Sequence, residues 1–108
     1  KKMDAPSGTA LATVALMNAN REPQAQGGLE QNETLPGCRG GDAQGARVHS
    51  VRLPGVVAIQ EVIFGGRGQL LTIRDEAVSR DCFFPGVALA LRKIGGLHGL
   101  VEGLDKLL

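Results

Sequence analysis

The residues best suited to chemistry lie near the start of the chain, where Lys2 precedes the run Pro6, Ser7, Gly8 and Thr9. A stretch rich in Ala and Leu follows, and Ser7 is a good N-cap for the helix that this stretch predicts. The free N–H groups and the positive dipole at a helix start attract an anion. Gly8 permits close approach to the backbone, Thr9 adds a hydroxyl, and Lys2 can donate a proton. The pattern indicates a carboxylate or phosphate site, although a capped helix beside a solvated lysine would show the same spacing.

Composition and periodicity divide the chain into four zones, which are a helix at 7–17, a polar loop at 18–45, strands within 46–78 and a helical segment at 79–108. The loop has little periodic apolar signal, and we expect either a lid over a substrate or a disordered connection. We predict an α+β domain with a mixed, mostly antiparallel sheet, a packed N-terminal helix and a C-terminal helix.

Turn residues divide the strand zone. Pro54 and Gly55 interrupt the first β-rich run, and the glycine-rich residues 65–68 are typical of a hairpin turn between the next two runs. This arrangement predicts three adjacent antiparallel strands. In the last zone, Phe84 and Leu91 fall on one face of a predicted helix.

Bulk composition excludes several classes of function. The net charge is +1, and the chain has three Phe, no Trp and no Tyr, so we expect no nucleic-acid partner. Cys38 and Cys82 lack Cys-x-x-Cys spacing, and His49 and His98 lie far apart, so we predict free thiols and no metal site. The chain starts at Lys1 without a signal peptide or an apolar run that could cross a membrane. We expect a soluble, cytoplasmic protein that lacks upstream sequence and binds no membrane.

A longer pattern identifies a family. The run Lys-Met-Asp-Ala-Pro-Ser-Gly-Thr-Ala at residues 2–10 resembles the signature of the 4-hydroxy-tetrahydrodipicolinate reductases, in which a His-His pair precedes the lysine. Residues 48–52 are similar to the strand after that family's loop, residues 60–74 to its hairpin and residues 79–87 to its return to a helix. The resemblance covers nearly the whole chain and is weakest at 18–45.

The resemblance implies a role for several residues. Lys2 matches the family's catalytic lysine, which protonates the substrate as hydride arrives. Gly8 and Thr9 match residues that bind a carboxylate of a cyclic dicarboxylate substrate, and Ser7 contributes through capping or direct contact. Arg80 matches a family arginine that could steer cofactor or substrate, with an exposed surface arginine as the alternative.

The chain departs from the family at two strand positions, because Gln60 and Asp75 stand where many members have histidine. It also lacks the Gly-x-Gly-x-x-Gly nucleotide fingerprint. The resemblance implies that a Rossmann domain, absent here, precedes this region and binds most of the NADH or NADPH. Residues 1–80 would then form the substrate-binding and oligomerisation domain of a homotetramer, and residues 81–108 would complete the cofactor domain.

Other polar residues have simpler structural explanations. We expect Asp4 to hold its loop through nearby N–H groups. Arg52 and Arg74 should face solvent or a partner, and His49 should pack in the sheet. Cys38 has no neighbouring base in the sequence, which disfavours a nucleophilic thiol.

The favoured function is therefore part of an NAD(P)H-dependent reductase in lysine and diaminopimelate synthesis. We expect the chain alone to bind no nucleotide tightly and to turn over nothing. Two alternatives stay open at this point: the catalytic domain of another two-domain dehydrogenase, and a non-catalytic assembly module built on the sheet edges.

Overall fold

A computed structural model of the chain describes residues 3–22 and 33–108. The chain divides into two compact units, Lys1–Pro54 and Gly55–Leu108. In these residues, two α-helices and two antiparallel two-stranded sheets make the fold α+β, as predicted. The helices and strands are, in chain order, α1 (Gly8–Ala19), β1 (Gly41–Ala43), β2 (Ala46–Val48), β3 (Ala58–Gly66), β4 (Gln69–Ala77) and α2 (Phe84–Lys93).

Helix α1 begins at the predicted cap. Ser7 has an extended backbone, with φ −72° and ψ 152°, and its side chain accepts a hydrogen bond from the Ala10 N–H. Leu11 and Leu16 are 48% and 70% exposed, so the helix is apolar beyond the face that the fold covers. The half-buried residues recur at the spacing of one helix face, and they are Ala10, Thr13, Val14, Met17 and Asn18.

A short hairpin of β1 and β2 lies partly in the zone predicted as a loop. Gln44 and Gly45 both have positive φ, 55° and 84°, as the two-residue type I′ turn requires. Asp42 supports the turn, because its Oδ1 accepts from the Gly45 N–H at 3.2 Å. The loop prediction was wrong at the strand 41–43 and at the last residues of α1, since three-residue strands are too short to show alternation in the sequence.

The longer hairpin of β3 and β4 confirms the predicted glycine-rich turn. The two strands are joined at Arg67 and Gly68, where Gly68 has φ 72° and takes the left-handed backbone that favours glycine. Direct cross-strand partners share a face in an antiparallel pair. One face of this hairpin therefore carries a group of apolar side chains, which are Val62, Phe64, Leu71 and Ile73.

The prediction of one three-stranded sheet was wrong, because the strands form two separate pairs. Strand β2 ends at Val48, and residues 49–57 join no ladder. Pro54 has no N–H to donate, and Gly55 turns the chain with φ 83°. These two residues form the predicted turn but follow an irregular segment rather than a strand.

Arg74 is held by two carboxylates on the other face of the β3–β4 hairpin. Its Nη2 donates to Glu76 at 2.9 Å, and its Nη1 donates to Glu61 at 3.0 Å. These hydrogen bonds, the one to Glu76 most strongly, raise the pKa of Arg74. All three side chains are exposed, so the ion pairs fix the local geometry more than they stabilise the fold.

The C-terminal segment confirms the predicted helix. A 3₁₀ helix at Arg80–Phe83 leads into α2, and a second one at Ile94–Gly96 follows it. A third, Leu104–Leu107, packs on α2 so closely that a Cβ on Gly86 would lie 2.9 Å from the Leu104 side chain. These elements border an open apolar groove of about 520 Å³.

Few apolar side chains are fully covered. Within the part of the chain that the structure describes, the buried apolar residues are Ala46, Ala77 and Leu107. Large side chains such as Leu71 and Ile73 stay 57% exposed. The fold presents much apolar surface that burial elsewhere would stabilise.

Gly40 is the glycine whose replacement should be most damaging in the first unit. Its φ is 75°, and a Cβ would lie 2.6 Å from the Val48 carbonyl oxygen and 3.0 Å from the His49 ring. Gly37 has a similar φ of 80°, but a Cβ there would meet no atom within 4 Å. Gly37→Ala should therefore lower the free energy of unfolding by about 1 kcal/mol through backbone strain alone, and Gly40→Ala by at least about 1 kcal/mol more. Urea unfolding of the two variants measures the difference, and equal losses would show that the clash is relieved.

Candidate functional site

The first turn of α1 forms the centre of the candidate site. Ser7 accepts two hydrogen bonds, one at Oγ from the Ala10 N–H at 3.1 Å and one at its carbonyl from the Leu11 N–H at 3.0 Å. Among the described residues, the N–H groups of Gly8 and Thr9 have no acceptor. Two donors are therefore left at the positive end of a helix of 12 residues.

These two donors are open to a ligand. Gly8 and Thr9 are both exposed, and a Cβ built on Gly8 would meet no atom within 4 Å. A carboxylate could reach the backbone at this point and accept from both N–H groups. The structure thus brings Ser7, Gly8 and Thr9 together as predicted, with the Ser7 side chain engaged as the cap.

The predicted proton donor, Lys2, lies outside the described residues. Asp4, two residues further on, is described, and its carbonyl oxygen accepts a hydrogen bond from Arg52 Nη2. Arg52 Nη1 also donates to the Val51 carbonyl at 3.0 Å. The signature segment is therefore linked to the irregular segment that follows β2.

Arg52 is the residue that sequence reasoning missed. Arg52 is exposed, as expected, but its guanidinium also binds the backbone of Asp4, 48 residues away in the chain. A separation of this length leaves no trace in local periodicity. The one available signal was that the segment 48–52, which resembles the family, ends on this arginine.

The other end of α1 is linked to the β1–β2 hairpin. Asn18 Nδ2 lies 3.4 Å from the Ala43 carbonyl oxygen and 3.4 Å from the Gln44 Oε1. Asn18 belongs to the half-buried face of the helix, so the bond and the packing act on the same side. Helix α1 is thereby joined to the hairpin within one unit.

The remaining candidate residues lie outside the first turn of α1. His49 follows β2 and is exposed, so the expectation that it packs in a sheet was wrong. Arg80 is exposed at the start of a 3₁₀ helix in the second unit. Cys38 and Cys82 are free and exposed.

The described residues contain neither a candidate metal site nor a candidate membrane-spanning helix. In residues 3–22 and 33–108, no group of three or more His, Cys, Asp or Glu side chains could hold a metal ion. Over the same ranges, none of the helices is long and apolar enough to cross a membrane.

The two positions at which the chain departs from the resembled family are cross-strand partners. Gln60 on β3 pairs directly with Asp75 on β4. Both side chains therefore project from the same face of the hairpin.

Comparison with known proteins decides the family. A family model described as "Dihydrodipicolinate reductase, C-terminus" matches residues 1–108. The chain belongs to this family. The resemblance that the signature at residues 2–10 indicated is thereby confirmed.

Individual relatives agree with this membership. The chain is 54% identical over 108 residues to the 4-hydroxy-tetrahydrodipicolinate reductase of Desulfitobacterium hafniense, and the match covers 100% of this chain and 40% of the relative. It is 52% identical over 107 residues to the 4-hydroxy-tetrahydrodipicolinate reductase of Carboxydothermus hydrogenoformans, covering 99% of this chain and 40% of that protein. The chain therefore spans about 40% of the length of these curated relatives.

A solved structure shares the fold. The dipicolinate-bound dihydrodipicolinate reductase from Paenisporosarcina sp. TG-14 superposes with a TM-score of 0.83 at 42% sequence identity. The match covers 99% of this chain and 40% of that chain.

Proposed function

We propose that this chain is the substrate-binding and oligomerisation part of a cytoplasmic, NAD(P)H-dependent 4-hydroxy-tetrahydrodipicolinate reductase. The observation that carries the proposal is the family match over residues 1–108. The relatives are more than twice as long as this chain, which leaves room in such a protein for a separate cofactor domain.

The proposed substrate is a cyclic dicarboxylate, one carboxylate of which binds at the start of α1. The N–H groups of Gly8 and Thr9 supply two donors, the helix dipole favours the negative charge, and the Thr9 hydroxyl adds a third donor. The dipicolinate named for the Paenisporosarcina enzyme is a ligand of this chemical class. Ser7 contributes by holding the first turn in place.

Lys2 is the proposed proton donor. When bound, NADH or NADPH supplies a hydride to the substrate ring. The Lys2 ammonium donates a proton to the ring as the hydride is added, and six residues separate it from the Gly8 donor in the chain. A ring held by the carboxylate site is the proposed acceptor of this proton.

The segment 81–108 is proposed to complete the cofactor domain of the intact protein. The apolar face of α2 supports this, because Val87 and Leu91 line the open groove and are 54% and 66% exposed. Such a face is stabilised when another domain covers it. Arg80, directly before this segment, is the proposed contact for cofactor or substrate.

Gly8→Ala in the intact reductase should weaken dipicolinate binding without lowering stability. The new methyl group meets no protein atom within 4 Å, and alanine is the better helix former, so the melting temperature should stay the same or rise. The methyl group would, however, keep a carboxylate away from the backbone, and we expect about a tenfold or greater increase in the Kd for dipicolinate.

Calorimetric titration with dipicolinate measures this effect, and Gly37→Ala, at a glycine with an equally open Cβ, is the control. Unchanged affinity in Gly8→Ala would place the carboxylate elsewhere. Absence of saturable binding in the parent protein would favour a non-catalytic assembly module.

Lys2→Ala should lower kcat by about 100-fold or more and leave dipicolinate affinity within a few-fold of the parent value. The proposed lysine acts on the proton in the transition state, and loss of a general acid typically costs this much. Lys2→Arg keeps the charge but holds its proton too tightly to replace the lysine. Oxidation of the nicotinamide in steady-state assays measures kcat, and near-normal turnover in both variants would favour another type of dehydrogenase.

The intact protein should be a homotetramer assembled through the sheets. Leu71 and Ile73, on one face of the long hairpin, are each 57% exposed and offer apolar surface for this contact. Because burial of apolar surface is not screened by salt, the tetramer should persist from low to high ionic strength. Sedimentation velocity at both salt concentrations measures the assembly, and a monomer in both would contradict the proposal.

A further inference from the structure

We infer that Arg52 is a positioning residue for the proton donor, which it orients through the backbone of Asp4. This inference rests on the proposed function of Lys2. Its basis is the hydrogen bond from Arg52 Nη2 to the Asp4 carbonyl, which links parts of the chain 48 residues apart.

The anchored carbonyl lies close to the lysine along the chain. Lys2 is only two residues before Asp4 in the sequence, so a restraint on the Asp4 backbone acts next to it along the chain. Residues 3–7 belong to neither a helix nor a strand, and the cap at Ser7 fixes their far end. The hydrogen bond from Arg52 to the Asp4 carbonyl restrains the near end of this segment.

The guanidinium group suits this task. Arg52 donates through Nη2 to the Asp4 carbonyl and through Nη1 to the Val51 carbonyl, so one planar group bridges two backbone segments. The hydrogen bond to the carbonyl of the neighbouring residue, Val51, fixes the guanidinium group relative to its own segment. The remaining donor then points to a defined place on the signature segment.

Loss of Arg52 should lower the reaction rate more than the stability of the fold. Arg52 is exposed, and a single exposed hydrogen bond contributes little to the stability of the fold. A misplacement of about 1 Å at a reacting group can nevertheless cost about 100-fold in rate. The N–H groups of Gly8 and Thr9, which are proposed to bind the carboxylate, do not depend on Arg52. The affinity for the ligand should therefore survive the removal of Arg52.

The test compares Arg52→Met with Arg52→Lys in the intact reductase. Methionine keeps much of the side-chain length but removes every donor, whereas lysine keeps the charge and a donor that can reach the Asp4 carbonyl. Arg67→Met, at the exposed turn of the long hairpin, is the matched control. The measured quantities are kcat per dipicolinate-binding site, KM, the Kd for dipicolinate and the melting temperature.

We expect Arg52→Met to lower kcat by about tenfold or more while KM and the dipicolinate Kd change less than about threefold. Arg52→Lys should restore kcat to within about threefold of the parent value, and Arg67→Met should match the parent. A normal kcat in Arg52→Met would overturn the inference. A rise in KM and Kd at unchanged kcat would also overturn it, since Arg52 would then contact the substrate.

The experiment also covers a variant that does not fold and a failure of the proposed function of Lys2. If Arg52→Met does not fold, Arg52→Lys decides: unchanged dipicolinate affinity with kcat within about threefold supports the inference, and any other combination overturns it. Lys2→Ala is assayed alongside, because normal turnover there would remove the proposed function itself. Loss of turnover in Lys2→Ala with a normal Arg52→Met would remove only the role of Arg52.

Discussion

Apolar side chains in this chain outnumber the positions that its own fold buries. Helix α1 has apolar residues outside its packed face, α2 borders an open groove, and the long hairpin leaves Leu71 and Ile73 more than half exposed. Each of these surfaces would lower the free energy by leaving water. The described elements therefore have a well-defined local geometry and expose apolar surface whose burial against another surface would stabilise them. This constraint fits membership in a family whose members are more than twice as long.

The candidate site depends less on burial than on which N–H groups at the start of α1 already have an acceptor. Ser7 accepts hydrogen bonds from the third and fourth N–H groups of α1, and among the described residues the first two, at Gly8 and Thr9, have no acceptor. Arg52, in the segment that follows β2, donates a hydrogen bond to the carbonyl of Asp4, which lies before the helix. The site is thus built from backbone groups whose positions are set by two side chains, one that caps and one that anchors. Such an arrangement allows an exposed surface to bind an anion in a defined orientation.

Features that depend on near neighbours were predictable from the sequence. The cap at Ser7, the turn before Gln69 and helix α2 each follow from residues within about one turn of each other. The β1–β2 hairpin was missed because its strands have three residues each, and the separate pairing of the strands was missed because residues 49–53 alternate like a strand but join no ladder.

The site divides in the same way. The helix start at Gly8 and its cap at Ser7 are confirmed because they are local, whereas the binding role of Gly8 and Thr9 stays a prediction. The contact between Arg52 and Asp4 could not be predicted, since only the folded backbone brings them together. The role of Lys2 stays a prediction that rests on family membership.

The bond from Asn18 to the β1–β2 hairpin has a consequence for local opening. Two strands of three residues are too short to be stable alone, and the hairpin relies on its contact with the last turns of α1. When those turns fray, the hairpin loses its support in the same event. We therefore expect the amides of the hairpin and of the C-terminal turns of α1 to exchange with solvent as one cooperative unit, and the capped first turn to open independently.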